Sequence, residues 1–175
     1  NPASQIQIRL LTWEDEIMHI EPPVVEEIPV QINDILVETY KKLPQNSQLV
    51  IEADFFMSLT PVAEKGRPVF PFQLLFVDAN SGEVLTFELV ELKTTYKDMV
   101  SGIAMTTLEK LTEIGVRPAA LHIRDADFYQ VMEPLADRIG VAVKIKRELP
   151  WLDEARMDMQ SMLMGGGMPM ELDLE

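Results

Sequence analysis

Between residues 49 and 163 the signals for strand and helix follow one another in a fixed order, and that order admits few folds. Three strand signals come first, at residues 49–59 (LVIEADFFMSL), 72–77 (FQLLFV) and 83–92 (EVLTFELVEL). A loop carrying Pro61, Gly66, Pro68 and Pro71 separates the first two, and Asp78-Ala-Asn-Ser-Gly82 joins the last two with the turn chemistry of a short hairpin. The three segments therefore read as an antiparallel meander. The period then switches from two to 3.6: Tyr96, Met99, Val100, Ile103, Thr107, Leu111 and Ile114 form one stripe over residues 94–114. Thr95 and Asp98 are spaced as a capping pair at its start, and Gly115 stops it.

Past that helix the chain alternates between strand and helix. Residues 119–124 (AALHIR) read as a short buried strand, and residues 126–139 as a helix with Phe128, Val131, Met132, Leu135 and Ile139 on one face. Pro134 is expected to kink this helix or to remove one hydrogen bond, and Gly140 closes it. Residues 141–147 (VAVKIKR) alternate as a strand. Pro150 then opens a last helix whose stripe is Leu152, Ala155, Met159, Met162 and Leu163, ended by Gly165 to Gly167.

The flanks are simpler. Residues 4–12 (SQIQIRLLT) alternate as an N-terminal strand, residues 13–29 form an acidic connector with Pro22, Pro23 and Pro29, and residues 30–43 form a helix with Ile32, Ile35, Leu36, Thr39 and Tyr40 at helical spacing. Three segments follow: an N-terminal strand, connector and helix at 1–48, an α/β domain at 49–164, and a flexible acidic tail at 165–175. With 175 residues, 47% of them hydrophobic and 25% charged, the chain has material for one core.

The expected fold is α/β, a mixed five-stranded sheet with the order β-β-β-α-β-α-β-α plus the N-terminal strand and helix. That order resembles the ribonuclease H fold over roughly two thirds of the chain. The resemblance implies an acid on the first strand, one on the first helix, one at the end of the fourth strand and one on the last helix. Here those positions are Asp54, Asp98, Asp125 in LHIRDADFY and Asp153 in WLDEARMDM. A second resemblance rests on VIEADFF, GRPVFPFQLLFVDANSGEVL, RPAALHIRD and LPWLDEA, which are similar to an uncharacterised bacterial domain family with no assigned activity. It implies a bacterial source and carries no functional residues across.

The chemistry open to four such acids is two-metal phosphodiester hydrolysis, with oxygen ligands suited to Mg²⁺ or Mn²⁺. Each acid also has an ordinary structural place. The alternation of Ile51, Ala53 and Phe55 puts Asp54 on the opposite, solvent-facing side of its strand. Asp98 and Asp125 are placed to cap helices, and Asp153 meets the positive end of the last one. Charge weighs against a nuclease: 15 Lys and Arg against 29 Asp and Glu give −14, a field that repels phosphate backbones. Lys144 and Lys146 share one strand face with Arg147 beside them, and Lys93 and Lys97 are placed nearby, but no aromatic residues interleave with them. His122, between Leu121 and Ile123, reads as a packed imidazole. The absence of Cys removes disulfides, thiolate metal sites and a thiol nucleophile, and favours the cytosol. No apolar run approaches the ~18 residues of a membrane helix.

Six of the eleven Met residues crowd the C-terminus. Thioethers adapt to irregular apolar surfaces, and Met157 and Met164 fall off the core stripe of the last helix. Beyond the glycines, Met168, Met170, Leu172 and Leu174 alternate with polar or acidic residues, a pattern suited to an added edge strand. The expectation is a cytoplasmic, non-catalytic interaction or regulatory domain without a cofactor, binding a protein partner or a second copy of itself. Neither a membrane nor a nucleic acid is expected as a partner. The alternative is a Mg²⁺-dependent nuclease using Asp54, Asp98, Asp125 and Asp153.

Overall fold

A computed structural model describes residues 27–59, 61–64, 67–90 and 95–165. The strand expected at 4–12, most of the acidic connector, and the tail from 166 onward lie outside the described residues. In chain order the elements are α1 (Asp34–Lys41), β1 (Gln45–Met57), β2 (Val62–Glu64), β3 (Arg67–Val69), β4 (Phe72–Asp78), β5 (Val84–Val90), α2 (Tyr96–Ile114), β6 (Arg117–Ile123), α3 (Ala126–Ile139), β7 (Ala142–Ile145) and α4 (Pro150–Gly165).

The five-stranded sheet has the order β5-β4-β1-β6-β7. β1 pairs antiparallel with β4 and parallel with β6, β4 pairs antiparallel with β5, and β6 pairs parallel with β7. The meander and the crossover strands thus meet at β1, and the first strand of one is neighbour to the first strand of the other. Order and direction are those of a ribonuclease H-like α/β fold.

Alternation along the strands divides the core in two. Ile51, Ala53 and Phe55 of β1, Leu74 and Phe76 of β4, and Leu121 and Ile123 of β6 point to one face, where they pack with Val37 and Tyr40 of α1, Val100, Ile103 and Leu111 of α2, and Phe128 and Met132 of α3. The other face carries Leu75 and Val77, covered by Leu149, Leu152 and Ala155 at the start of α4. One helix cannot cover five strands. α4 packs mainly on β1 and β4, and among the described residues the β6–β7 side of that face is left open.

Local chemistry sets the helix ends. Asn33 accepts from the Ile35 and Leu36 N–H groups to start α1, and Thr95 accepts from Asp98 N–H to start α2. Gly115 and Gly140 end α2 and α3 in the left-handed region at φ 79° and 68°.

Several expectations are corrected. Residues 45–48, grouped with the N-terminal segment, open β1, and α1 packs into the main core through Val37 and Tyr40, both fully buried. α1 begins four residues later than expected; Ile28, Val30 and Ile32 reach the core from an extended segment, while Ile35 is 80% exposed. The loop after β1 contains the small β2–β3 hairpin, with Pro68 in register opposite Ala63. Arg117 and Pro118 belong to β6, opposite Gln45 and Asn46. α3 runs through Pro134. Met162, placed by periodicity on the core stripe of α4, is 77% exposed, since that end of the helix has run past the sheet residues that would cover it.

Candidate functional site

The functional reading turns on the carboxylates where β1 meets α4. Glu52, Asp54 and Phe56 share the α4 side of β1. Asp54 is only 4% exposed, so the expected solvent-facing position is wrong: period two placed it correctly opposite Ile51, Ala53 and Phe55, but α4 covers that side too.

Arg124, the residue after β6, joins two of the four predicted acids. Its Nε and Nη2 donate to Asp54 Oδ2 at 3.1 and 2.5 Å, and its Nη1 donates to both oxygens of Asp153 at 3.0 Å. The parallel register that pairs Ala53 with Ile123 makes Asp54 and Arg124 neighbours across the two strands. Asp153 comes down from the first turn of α4. Burial pushes the Asp54 carboxyl up, and Arg124 pulls it back. Burial works against the charge of Arg124, but Asp54 and Asp153 outweigh it and hold the guanidinium above its ordinary value.

Asp98 and Asp125 are used elsewhere. Asp98 is exposed and its Oδ2 accepts from Thr95 Oγ1 at 2.7 Å, completing a reciprocal cap on α2. Asp125 Oδ1 accepts from Phe128 N–H at 2.7 Å and caps α3. The start of α2 comes near the start of α3: Tyr96 hydrogen-bonds Asp127, and burial followed by the charges of Asp125 and Asp127 pushes its phenol up to about 12.

Sequence reasoning missed Glu52 and Arg124. Glu52 is buried, and its Oε2 accepts from Leu152 N–H at 2.8 Å, with Trp151 N–H also bonded to the carboxylate. A strand carboxylate thereby caps α4 from across the core. The available signal was negative: Leu149 stands where a helix opening at Pro150 would ordinarily carry Ser, Thr, Asp or Asn. Burial raises the Glu52 carboxyl, while the two N–H groups lower it. For Arg124, alternation placed it with His122 on one face, but the partner across β1 depends on a strand register that the sequence does not display.

Arg156, one turn beyond Leu152, lays its guanidinium 3.8 Å from the centre of the Phe56 ring. A shallow open cleft is lined by Asp54, Phe55, Arg124, Asp125, Ala126 and Arg156. Two guanidinium groups enter it together with two carboxylates. The fit to a divalent metal is poor, because the guanidinium of Arg124 already sits between Asp54 and Asp153, and the other two acids are engaged in caps. Among the described residues, no three His, Cys, Asp or Glu side chains converge into a group that could hold a metal ion.

The family model for a domain of unknown function, DUF6930, matches residues 36–160. The chain belongs to that family. The DUF6930 match runs from within α1 into α4, so the buried Val37 and Tyr40 of α1 lie inside the family's limits. Among solved structures the domain is similar to the catalytic core domain of BIV integrase, at 16% identity and a TM-score of 0.49, over 69% of this chain and 71% of that one. It is also similar to a chain of the simian T-cell lymphotropic virus intasome in complex with a PP2A regulatory subunit, at 12% identity and a TM-score of 0.47. That match covers 74% of this chain and spans about half, 49%, of the other. No curated protein matches the chain. Of the partner-binding candidates, Met157 is exposed on α4. The Met164 side chain, Met168, Met170, Leu172 and Leu174 lie outside the described residues. No helix among the described residues is long and apolar enough to cross a membrane.

Proposed function

We propose that this DUF6930 domain is a non-catalytic interaction or regulatory module of a bacterial cytoplasmic protein, working through a protein partner and without a bound cofactor. The observation that carries the reading is the place of Arg124. A ribonuclease H-like site draws dications because its carboxylates converge with their charge unbalanced. Here a resident guanidinium already occupies the space between the strand acid and the last-helix acid and offsets one of their two charges, and it would repel an incoming dication at the same point. Its five donors stay fixed, so the pair serves as a rivet between β6, β1 and α4.

Melting the protein with and without millimolar Mg²⁺ or Mn²⁺, alongside incubation with labelled single- and double-stranded DNA, RNA and hybrid, tests this. The expected result is an unchanged melting temperature and no cleavage above that of Asp54→Asn. A metal-dependent rise in melting temperature abolished by Asp125→Asn, or metal-dependent cleavage lost in Asp54→Asn, would overturn it in favour of the nuclease.

A further inference from the structure

β7 is an edge strand of four residues, and its two sides differ in chemistry. On one side Val143 packs against the main core, while Ile145, two residues on, is 54% exposed. On the other side Lys144 sits in register beside His122 of β6, and Lys146 continues the ladder through its N–H to Ile123 O at 2.7 Å. Both lysines are exposed, and their ammonium groups have no ion-pair or hydrogen-bond partner among the described residues. Burial, and then the charges of Lys146 and Lys144, lowers the pKa of His122. α4 stops short of this side of the sheet. Among the described residues this edge is uncovered and offers unpaired backbone groups, two unpaired ammonium groups on one face and an exposed Ile on the other, in a chain of net charge −14.

An extended polypeptide with acids on one side and apolar residues on the other meets all three features at once. A nucleic acid meets only the lysines, against the field of the whole chain. Residues 170–175, Met-Glu-Leu-Asp-Leu-Glu, have that alternation, with Glu171 and Asp173 at the same two-residue spacing as Lys144 and Lys146. In the same chain the reach is short. The five steps from Gly165 to Met170 span at most ~17 Å fully extended.

We infer that the outer edge of β7 takes residues 170–175 of a second copy of this chain as an added strand, with Glu171 and Asp173 over Lys146 and Lys144 and the leucines beside Ile145. The inference rests on the interaction-module reading and names its partner. A reciprocal exchange closes as a twofold dimer and pairs both edges.

The test uses the full chain in solution, with mass by light scattering and amide exchange over residues 142–146. The wild type is expected at twice the monomer mass. Lys144→Glu with Lys146→Glu, and separately Glu171→Lys with Asp173→Lys, each halve that mass. Mixing the two variants restores a dimer, because each variant's edge then meets a tail of opposite charge. The restored dimer also shows that neither variant has merely misfolded. A monomeric wild type, including one whose 142–146 amides are protected by its own tail, overturns the inference, as does a dimer indifferent to both charge reversals. Either result leaves the non-catalytic reading standing, since that reading falls only to metal-dependent cleavage or a site-specific metal-dependent rise in melting temperature.

Discussion

Replacing Arg124 with alanine removes the cation that holds β6, β1 and α4 together, and its cost can be worked out one arm at a time. The Asp153 side chain is 44% exposed, so its ion pair contributes about 0–1 kcal/mol. The Asp54 side chain is 5% exposed, and breaking a buried pair from one side costs about 3–5 kcal/mol. Two features reduce that figure. The Arg124 side chain is itself 30% exposed, and after its loss Asp54 keeps the Phe55 N–H at 3.0 Å and the field of Arg156. A net loss of about 2–4 kcal/mol near neutral pH follows, or about 4–16 °C in melting temperature for a chain of this size. The loss depends on pH in a definite direction. Burial raises the folded pKa of Asp54, so stability from its proton is fully present below the ordinary carboxylate range and is lost as pH rises through the folded value. Without Arg124 the folded value climbs further, so the deficit relative to wild type shrinks as the pH falls, and the comparison is made at about pH 7 and at about pH 5. Urea denaturation at both pH values measures this, and adding Asp54→Asn to the alanine variant should recover most of the loss. A deficit under about 1 kcal/mol near pH 7, or one equal at both pH values, would refute the buried-charge account.

Two further perturbations read the seat of α4. Gly82→Ala, at φ +75°, would place a Cβ 2.5 Å from Trp151 Cε3; it should cost about 1–3 kcal/mol in urea denaturation, and a neutral result would mean that Trp151 does not rest on the β4–β5 turn. Glu52→Gln keeps an oxygen acceptor for Leu152 N–H and removes a desolvated charge whose raised folded pKa makes wild-type stability fall as pH rises through it. The Gln variant should therefore lose stability less steeply over that window and match or exceed wild type near neutral pH. Glu52→Ala leaves the Trp151 and Leu152 N–H groups uncapped and should cost about 1–2 kcal/mol; equal losses in the two variants would assign the cap to charge rather than to the accepted hydrogen bonds.

What the sequence determined alone is local. Period two and period 3.6 located every major element of the sheet domain, because burial on one face writes itself into spacing, and the caps at Thr95, Asp125, Gly115 and Gly140 marked helix ends because they are satisfied within a few residues. The element order, through its resemblance to the ribonuclease H fold, accords with β1 and β6 lying as parallel neighbours. The tertiary structure decided what each carboxylate does. Asp98 and Asp125 kept local roles, as their own helices required. Asp54 and Asp153 were drawn together by a cation from a third element, and Glu52 was drawn to the bare end of α4 from the middle of β1. These pairings join residues 29, 70 and 100 positions apart. They depend on register, on which face α4 covers and on the burial that makes an unpaired charge costly, and none of those three quantities is carried by the spacing of residues along the chain.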